Sequence, residues 1–333
     1  MLCPREERER LEHYIVGAYG VLADSSRGRL KDEEECSIRT CFQRDIDRIT
    51  HSKSFRRLKH KTQVFLQPEG DHYRSRLTHT LEVSRVARTI ARALALNEDL
   101  TEAIALGHDL GHTPFGHAGE RALRAITGRF NHYEQSLRVV DKLEREGRGL
   151  NLCLETRIGI LNHTTGEPRG STEADVVRLS DHIAYLNHDL DDAERARIVR
   201  PDEVPAIVRG RIGERNSARI NAMVTDVIEN SADGAVRFSE SMREAYQVFY
   251  DFMFEAVYRN PTAKGEEKKV QGLLEPIWTY FAGHTEELPP EYAAIARQEG
   301  PERAATDYVS GMTDSFAIGT FDRLFIPASW SRI

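Results

Sequence analysis

Apolar residues recur every three to four positions along most of the chain, and runs of β-branched residues are few. This spacing places apolar side chains on one face of a helix, whereas a half-buried strand would need strict alternation. The chain has 333 residues, of which 40% are hydrophobic, so it is long enough to bury a substantial core. The sequence therefore predicts an all-α fold, a helical bundle with additional C-terminal helices.

Clusters of Gly, Pro, Ser and acidic residues interrupt this spacing and mark the predicted loops. Helix-starting residues, such as Asn97 before Glu98 and Asp99, mark the beginnings of predicted helices. We predict loops at residues 21–38, 67–73, 259–269 and 284–292, and helices at about residues 75–96, 100–110, 172–190, 239–258 and 270–283.

No repeat period, low-complexity tract or interdomain linker is recognisable in the sequence. We therefore expect one continuous globular unit with three parts. These are an N-terminal helix and loop (residues 1–40), a core (residues 41–200) and a C-terminal helical part packed on that core (residues 201–333).

Composition restricts where such a protein works. The sequence contains no uninterrupted apolar stretch long enough for a membrane span, and MLCPREERERLEHY at the N-terminus is charged where a signal peptide has its apolar core. The four cysteines, Cys3, Cys36, Cys41 and Cys153, are scattered and form no CxxC pair, so we expect no disulfide framework and no structural zinc. We expect a cytoplasmic protein with no membrane partner.

Charge is unevenly distributed along this acidic chain, whose net charge is -7. Between Arg39 and Lys61 there are eight basic residues against two acids, Asp45 and Asp47. Such a segment either binds a specific anion, single-stranded DNA included, or forms a solvated helix face. The overall negative charge argues against nonspecific coating of DNA.

The stretch GHDLGHTPFGHAGE, residues 107–120, contains three histidines, an aspartate and a glutamate within fourteen positions. Gly111, Pro114 and Gly116 break helical regularity there, so we expect His112 on a turn and His117 at the start of the next helix. Neutral imidazoles and carboxylates are the side chains that bind divalent metals. The stretch therefore predicts a metal centre.

Two further residues extend this pattern into an H...HD...D signature. His79 lies on the apolar stripe of its predicted helix, four residues before Val83, and Asp181 lies on the helix predicted for residues 172–190. With the adjacent pair His108-Asp109, they provide four candidate ligands from separate helical regions. A catalytic site of this type keeps a coordination position open for water or substrate.

Asp181, Tyr185 and Asp189 stand four residues apart and so project from one helix face. Their apolar neighbours, Val177 and Ala184, favour one wall of a binding site over an exposed acidic stripe, which is the alternative.

Several stretches carry a family resemblance. The chain resembles the HD-domain metal-dependent phosphohydrolases, and within them the deoxyguanosine triphosphate triphosphohydrolase (dGTPase) and dGTPase-like group. The matching stretches are FQRDIDRITHSKSFRRLKHKTQVF (42–65), DHYRSRLTHTLEVSRVAR (71–88), AIALGHDLGHTPFGHAGE (103–120), GLNL (149–152), SDHIAYLNHDLDDA (180–193) and DYVSGMTDSFA (307–317). The resemblance implies an HD-domain core and hydrolysis of a deoxynucleoside triphosphate (dNTP) to a deoxynucleoside and inorganic triphosphate.

The resemblance also implies roles for individual residues. The metal ligands are His79, His108, Asp109 and Asp181, holding one divalent ion per chain, either Mn, Mg, Fe, Co or Ni. His117 acts at the α-phosphorus with help from Glu120, while His112 lines the phosphate pocket or braces the HD turn. Gln63 and Asp189 bind the sugar 3'-hydroxyl, Tyr185 packs under the sugar, and Arg76 reaches toward the phosphates.

At some positions the sequence departs from the group's pattern. His132 resembles a histidine near the family's active site, but Tyr133 stands where Asn is common. Ser180 and His182 flank Asp181, where the group usually has Ala before the ligand and Lys or Arg after it. We expect His163 and His188 to be structural or to support ligands rather than to bind metal.

Alternatives remain at this point. HD phosphohydrolases acting on nucleoside monophosphates, cyclic nucleotides or guanosine tetraphosphate share the four ligands. A binding protein rather than an enzyme is another alternative, namely a nucleotide sensor or a single-stranded-DNA-binding protein with little turnover. A binuclear metal site recruiting His112 or His132 is a further alternative. The resemblance implies a homo-oligomer, often a hexamer, and in some members a second site for an activating dNTP.

Overall fold

The structure is a computed structural model that describes residues 4–64, 74–165, 170–260 and 265–327. Cys3 and the loop predicted at residues 67–73 lie outside the described residues. The helices are α1 Pro4–Ile15, α2 Cys41–Thr50, α3 Lys53–Arg57, α4 Arg76–Ala93, α5 Glu98–Gly107, α6 Gly116–Thr127, α7 His132–Arg138, α8 Leu154–Asn162, α9 Thr172–Arg195, α10 Ala206–Arg211, α11 Asn216–Asn230, α12 Glu240–Met253, α13 Glu267–Gly283, α14 Pro290–Glu299, α15 Pro301–Ser310 and α16 Asp314–Phe325.

Side-chain caps fix the beginnings of the helices that carry the candidate ligands. Ser75 accepts a hydrogen bond from the backbone of Thr78 at the start of α4, and Ser171 caps α9 in the same way. Asn97 caps α5 by accepting from the backbone amides of Asp99 and Leu100. Each cap satisfies amides that have no partner inside the helix.

Some predicted boundaries were wrong by several residues. The helix predicted to continue to residue 110 ends at Gly107, so His108 and Asp109 lie in the turn that follows it. Helix α9 continues beyond residue 190 to Arg195. The loops predicted at 259–269 and 284–292 are shorter, because α13 begins at Glu267 and α14 at Pro290.

The largest core joins α4, α5 and α9 to the later helices α11 and α12. Val83, Ile104 and Ile183 meet Met223 and Phe249 there, all fully buried. This packing aligns α4, α5 and α9, and it is the reason that residues far apart in sequence meet at one site.

A second core packs α6 against α13, α14 and α15, with Leu123, Leu274 and Val309 among its buried side chains. Both cores therefore combine residues before and after residue 200. The packing continues across that predicted boundary, while the division at residues 40 and 200 stays a prediction. A third, smaller core joins α2, α5 and α8 through Ile49, Leu106 and Ile160.

Within the described ranges, β pairing is limited to isolated bridges. The antiparallel bridge between Thr62 and Ser75 holds Gln63 beside the beginning of α4. No helix among the described residues is both long and apolar enough to span a membrane. The predicted all-α architecture is confirmed.

Candidate metal centre and active site

The four predicted metal ligands meet where α4, α5 and α9 pack together. His79 lies in the first turn of α4, His108 and Asp109 in the turn after α5, and Asp181 in the middle of α9. His79, His108 and Asp109 are almost completely buried. The three helices therefore bring residues more than one hundred positions apart into one polar cluster.

Distances among three of the four predicted ligands, His79, His108 and Asp181, suit a single cation, and Asp109 is not part of that group. His79 Nε2 lies 3.0 Å from Asp181 Oδ1, and His108 Nε2 lies 3.9 Å from the same oxygen. Asp109 Oδ2 is 3.5 Å from His108 Nε2 and also forms an ion pair with Arg76. One ligand atom from each of His79, His108 and Asp181 falls within 4.8 Å of the others.

The hydrogen bonds of His108 identify which nitrogen faces the cluster. Its Nδ1 donates to the carbonyl oxygen of Ala105 at 2.6 Å, so the neutral ring carries its lone pair on Nε2. That Nε2 is buried and has no hydrogen-bond partner among the described residues. A buried imidazole lone pair held in this way is the arrangement typical of a metal ligand.

Electrostatics keep both carboxylates ionised. Burial raises the pKa of Asp109, but the charge of Arg76 opposes burial, and the pKa lies well below its ordinary value. Burial likewise raises the pKa of Asp181, but the hydrogen bond from His79 and the nearby His108 lower it overall. The centre thus contains a buried negative charge on Asp109, which Arg76 pairs, and a partly buried one on Asp181, and such charges are unfavourable unless cations compensate. The donor set fits a divalent metal.

A second polar cluster surrounds Glu120, in the second turn of α6. Glu120 Oε2 lies 3.2 Å from Nδ1 of the exposed His117 and 3.1 Å from Nδ1 of His132, and Glu120 Oε1 accepts from Arg124. Burial raises the pKa of Glu120, but the hydrogen bonds from His117 and His132 lower it well below its ordinary value. The ring of His112 stacks on that of His132, with centroids 4.7 Å apart.

The turn before α6 fixes the direction of His117. Thr113 Oγ1 donates to the carbonyl of Gly116, and Phe115 adopts a left-handed conformation, with φ 63°. Gly119 has no room for a side chain, since a Cβ there would lie 2.0 Å from the carbonyl oxygen of Pro114. The first turn of α6 therefore packs in direct contact with the backbone of the preceding loop at Pro114.

One cavity of about 510 Å³ connects both clusters, a volume within the usual range for small-ligand sites. Every predicted site residue lines it except His108, whose Nε2 lies 3.5 Å from Asp109 and 3.9 Å from Asp181. The predicted residues that line the cavity are Gln63, Arg76, His79, Asp109, His112, His117, Glu120, Asp181, Tyr185 and Asp189.

The wall opposite the clusters is aromatic. Tyr185 from α9 lies beside Tyr258, with ring centroids 6.3 Å apart, and the Tyr258 hydroxyl donates to Asp189 Oδ2 at 2.7 Å. Gln63 contributes a buried Oε1 that has no hydrogen-bond partner in the described part of the chain. The cavity thus combines a polar end, rich in ionisable groups, with an end suited to a flat or ring-shaped ligand.

Sequence reasoning missed several residues of this site. Tyr250, Phe254 and Tyr258 line the cavity from α12 and the π-helical segment Phe254–Tyr258 that continues it, although their apolar spacing indicated only helical packing. His163 was expected to be structural or to support ligands, and its ring centroid lies 5.0 Å from that of His108 and its Nε2 3.2 Å from His132 Nε2. Burial lowers the pKa of His163 to about 3, so this ring is neutral.

The basic segment of residues 39–61 divides between surface and interior: Arg39, Lys53, Arg56 and Lys59 are exposed, whereas Arg48 and Lys61 are buried. Arg48 forms an ion pair with Glu33 and donates to the carbonyl of Leu150. Buried Lys61 donates to the carbonyls of His112 and Ser310. These cations hold backbone segments in place, which is a role that the sequence did not predict.

Comparisons with known proteins agree with this geometry. Residues 76–186 match the HD domain and residues 236–323 the phosphohydrolase-associated domain. A deoxyguanosinetriphosphate triphosphohydrolase-like protein of Caldanaerobacter subterraneus subsp. tengcongensis is 52% identical over 328 residues, covering 98% of this chain and 97% of that protein. The chain belongs to this family of HD-domain phosphohydrolases.

Other members of the family show the same extent of similarity. Deoxyguanosinetriphosphate triphosphohydrolase-like proteins of Clostridium perfringens and Desulfatibacillum aliphaticivorans are 46% and 45% identical, each covering 97% of this chain and 98% of the relative. Among solved structures, a hypothetical protein from Aquifex aeolicus aligns with a TM-score of 0.49 at 20% identity, over 84% of this chain and 71% of that chain. The predicted family is confirmed, and the chain is a hydrolase of a metal-dependent class.

Proposed function

We propose that this phosphohydrolase is a dNTP triphosphohydrolase, which converts a dNTP to a deoxynucleoside and inorganic triphosphate. The observation that carries the proposal is the single cavity that joins the metal-ligand cluster, the His117–Glu120 pair and the aromatic wall. The names of the relatives, deoxyguanosinetriphosphate triphosphohydrolase-like proteins, support a deoxynucleoside triphosphate as substrate. An exposed acidic or basic patch alone would not favour any particular ligand.

His79, His108, Asp109 and Asp181 would hold the divalent cation. When bound, such a cation supplies Lewis-acid chemistry, since it draws charge from a phosphate oxygen and makes a nearby water a stronger nucleophile. Imidazole and carboxylate ligands accept Mn, Fe, Co, Ni or Mg, so this ligand set leaves the identity of the metal open.

His117 is the proposed proton donor. Glu120 accepts from His117 Nδ1, which leaves Nε2 to face the ligand. Water attack at the α-phosphorus forms one P–O bond and breaks the bond to the 5'-oxygen. A doubly protonated His117 gives its Nε2 proton to that departing oxygen, and the proton lost by the attacking water passes to solvent. Arg76 supplies positive charge for the phosphates, and buried His112, whose pKa burial lowers well below its ordinary value, adds a neutral imidazole.

Gln63, Tyr185 and Asp189 form the proposed sugar subsite. The Gln63 Oε1 can accept a hydrogen bond from a hydroxyl, and the Tyr185 ring provides a flat surface beneath a sugar ring. An added 2'-hydroxyl against such a ring is both crowded and poorly hydrogen-bonded. This subsite favours deoxyribose over ribose.

Product analysis tests the proposal. Purified protein is incubated with Mn²⁺ or Mg²⁺ and each dNTP, singly and in pairs, and the products are separated by chromatography. We expect a deoxynucleoside and intact triphosphate, and faster turnover with a pair would indicate the predicted activating site. Release of orthophosphate or pyrophosphate would instead support another HD phosphohydrolase.

The matched control is Asp109→Ala, which removes a metal ligand. We expect this variant to lose hydrolysis while the wild-type protein retains it. Unchanged hydrolysis in Asp109→Ala would contradict the mechanism, and binding without turnover in the wild type would favour a nucleotide sensor.

A further inference from the structure

Arginine side chains line the cavity of the candidate site, and two of them already serve its acidic groups. Among the described lining residues, the permanently charged cations are Arg76, Arg121 and Arg124. The Arg76 side chain is 4% exposed and pairs with Asp109. Arg124 donates to Glu120 Oε1 at 3.1 Å. Both guanidinium groups therefore position carboxylates of the site.

Arg121, on α6, is held differently. Its side chain is 60% exposed, and its Nη2 lies 2.5 Å from Oε2 of Glu267, the first residue of α13. Both residues line the cavity, so this ion pair lies where the cavity meets solvent. An ion pair in contact with solvent contributes little to stability. Arg121 can therefore exchange Glu267 for another anion at small cost.

The geometry of α6 places Arg121 next to the proposed proton donor. His117 and Arg121 stand four residues apart, so their side chains project from one helix face with Cβ atoms about 6 Å apart. Both side chains are largely exposed and line the cavity. A chain of phosphates that begins beside His117 therefore has its outer phosphates within reach of the long Arg121 side chain.

Acidic residues outnumber arginines in the cavity wall. The described lining residues include three arginines and five acids, and the acids are Asp109, Glu120, Asp181, Asp189 and Glu267. Four of these acids have other tasks, since two are predicted metal ligands and two accept hydrogen bonds from His117 and Tyr258. A triphosphate adds several negative charges, which need compensation in a partly buried site. Arg121 can provide it once Glu267 releases the guanidinium.

We propose that Arg121 binds the outer phosphates of the dNTP and of the triphosphate product, and that Glu267 holds its guanidinium before substrate binds. This role of Arg121 rests on the proposed function, which supplies a substrate with three phosphates. A guanidinium binds phosphate through two parallel charge-assisted hydrogen bonds, which are stronger than a solvent-exposed pair with a carboxylate. Phosphate therefore displaces Glu267, and competition from Glu267 helps the triphosphate to leave.

A purely structural role, in which the ion pair ties α6 to α13, is the alternative. The two helices already pack through apolar side chains of the second core, Leu123 and Leu274 among them. Those side chains are fully buried, whereas the Arg121 side chain is largely exposed. The apolar contact therefore accounts for the packing of α6 on α13, and the ion pair is available for another task.

Calorimetry on the full chain tests the role of Arg121. The protein is kept in a fixed excess of Mg²⁺ and titrated with inorganic triphosphate, and separately with deoxyguanosine, which has no phosphate. We expect Arg121→Ala to weaken triphosphate binding about tenfold or more, because charge-assisted hydrogen bonds to phosphate are lost. Its affinity for deoxyguanosine should equal that of the wild type.

Glu267→Gln should have the opposite effect. The amide keeps the shape of the side chain but no longer holds Arg121 by charge, so triphosphate should bind about two- to fivefold more tightly. Adding Glu267→Gln to Arg121→Ala should change nothing further, because Glu267 acts through Arg121. A pair that only joined two helices would not give changes of opposite sign.

Matched controls come from the ion pair between Arg129 and Glu134, which is exposed and does not line the cavity. Arg129→Ala and Glu134→Gln make the same changes of charge and should bind triphosphate as the wild type does. Arg121→Gln replaces the alanine variant if urea denaturation shows that Arg121→Ala does not fold.

Four results would overturn the proposal. They are a wild type that binds no triphosphate, wild-type affinity in Arg121→Ala, weaker binding in Glu267→Gln, and an equal loss of deoxyguanosine binding in Arg121→Ala, which would place Arg121 at the nucleoside.

The proposed function can fail separately from this role of Arg121. Wild-type triphosphate affinity in Arg121→Ala, with intact triphosphate still released from a dNTP, would remove Arg121 from the site and leave the proposed function standing. The expected binding changes together with other hydrolysis products would keep Arg121 as a phosphate ligand and overturn the proposed function.

Discussion

His79 and His117 line the same cavity, and their contacts assign them different tasks. His79 contacts Asp181 at 3.0 Å inside the ligand cluster, while His117 contacts Glu120 and is exposed to the cavity. We expect His79→Ala or Asp181→Ala to lose both bound metal and turnover. His117→Ala should keep its metal and turn over roughly 100-fold more slowly, because it lacks only the proton donor.

Metal content by elemental analysis and the rate of deoxynucleoside release distinguish these variants. Equal loss of metal from all three would show that His117 is a ligand and not the proton donor.

Tyr185 is predicted to discriminate between sugars. Tyr185→Ala should reduce the ratio of kcat/KM for a dNTP over the matching ribonucleotide by about tenfold or more, since the crowding of a 2'-hydroxyl is relieved. Tyr185→Phe keeps the ring and should keep most of the discrimination. A ratio unchanged in Tyr185→Ala would exclude Tyr185 from the sugar subsite.

Among the helices, α6 packs against the turn that precedes it, and this packing positions His117 and Glu120. Gly119→Ala places a Cβ 2.0 Å from the Pro114 carbonyl oxygen, and neither backbone segment can move without shifting the other. We expect a loss of about 1–3 kcal/mol in the free energy of unfolding and a lower kcat.

Gly272→Ala is the matched control, because Gly272 lies inside α13 and a Cβ added there would meet no atom of the described residues within 4 Å. It should be neutral or slightly stabilising, as alanine is the better helix former. Urea denaturation measures both variants, and equal stabilities would contradict the close approach.

Asp314, at the beginning of α16, joins this C-terminal helix to the site. Its carboxylate accepts from the backbone amide and hydroxyl of Thr62 and from the amide of Phe115 at 2.9 Å. Asp314→Ala leaves three buried donors unsatisfied, so we expect a loss of about 3 kcal/mol in the free energy of unfolding. Activity should also fall, because Thr62 and Phe115 adjoin Gln63 and the α6 turn.

The control for this prediction is Asp322→Ala, on the exposed side of the same helix. Chemical denaturation and dNTP hydrolysis should both be near wild-type values in the control. An Asp314→Ala protein as stable and active as the control would show that these hydrogen bonds do not position the site.

For the whole molecule, Glu12 links stability to pH. This residue of α1 is buried, and its carboxylate accepts from the Ala23 amide at 2.7 Å and from Asn97 Nδ2 at 3.2 Å. Burial raises the pKa of Glu12 to about 7 despite the opposing hydrogen bond from Ala23. The contribution of its neutral form is therefore complete below about pH 4.5 and is lost as the pH rises through about 7.

Glu12→Gln removes this titration and keeps the shape of the side chain. Between pH 5 and pH 8, we expect the free energy of unfolding of the wild type to fall relative to the variant by about 2 kcal/mol, after allowance for partial solvation. Urea denaturation at several pH values measures the difference. Glu7→Gln, exposed on the same helix, is the control, and a wild-type-to-variant difference independent of pH would contradict the prediction.

Three further predictions concern assembly and additional ligands of the whole molecule. The homo-oligomer, the second nucleotide site and single-stranded-DNA binding stay predictions. Within the basic segment, Arg48 and Lys61 are committed to internal contacts, while Arg39, Lys53, Arg56 and Lys59 are exposed.

The sequence by itself determined the helices and the membership of the family. Helical periodicity and capping residues such as Ser75 and Asn97 act through neighbours within one or two turns, so they can be recognised without a fold. The stretch around the His108-Asp109 pair indicated a metal centre for the same reason, because it lies in one local segment, while His79 and Asp181 completed the signature from distant segments.

Only the tertiary structure decided which distant groups meet. The sequence offered no signal that His163 faces His132, that Tyr258 donates to Asp189 or that Arg76 pairs with Asp109. Each of these contacts joins separate elements, and its distance depends on how α4, α5, α7 and α9 pack. Side-chain periodicity fixes the face on which a residue lies, whereas the burial of apolar surface between helices fixes what that face meets.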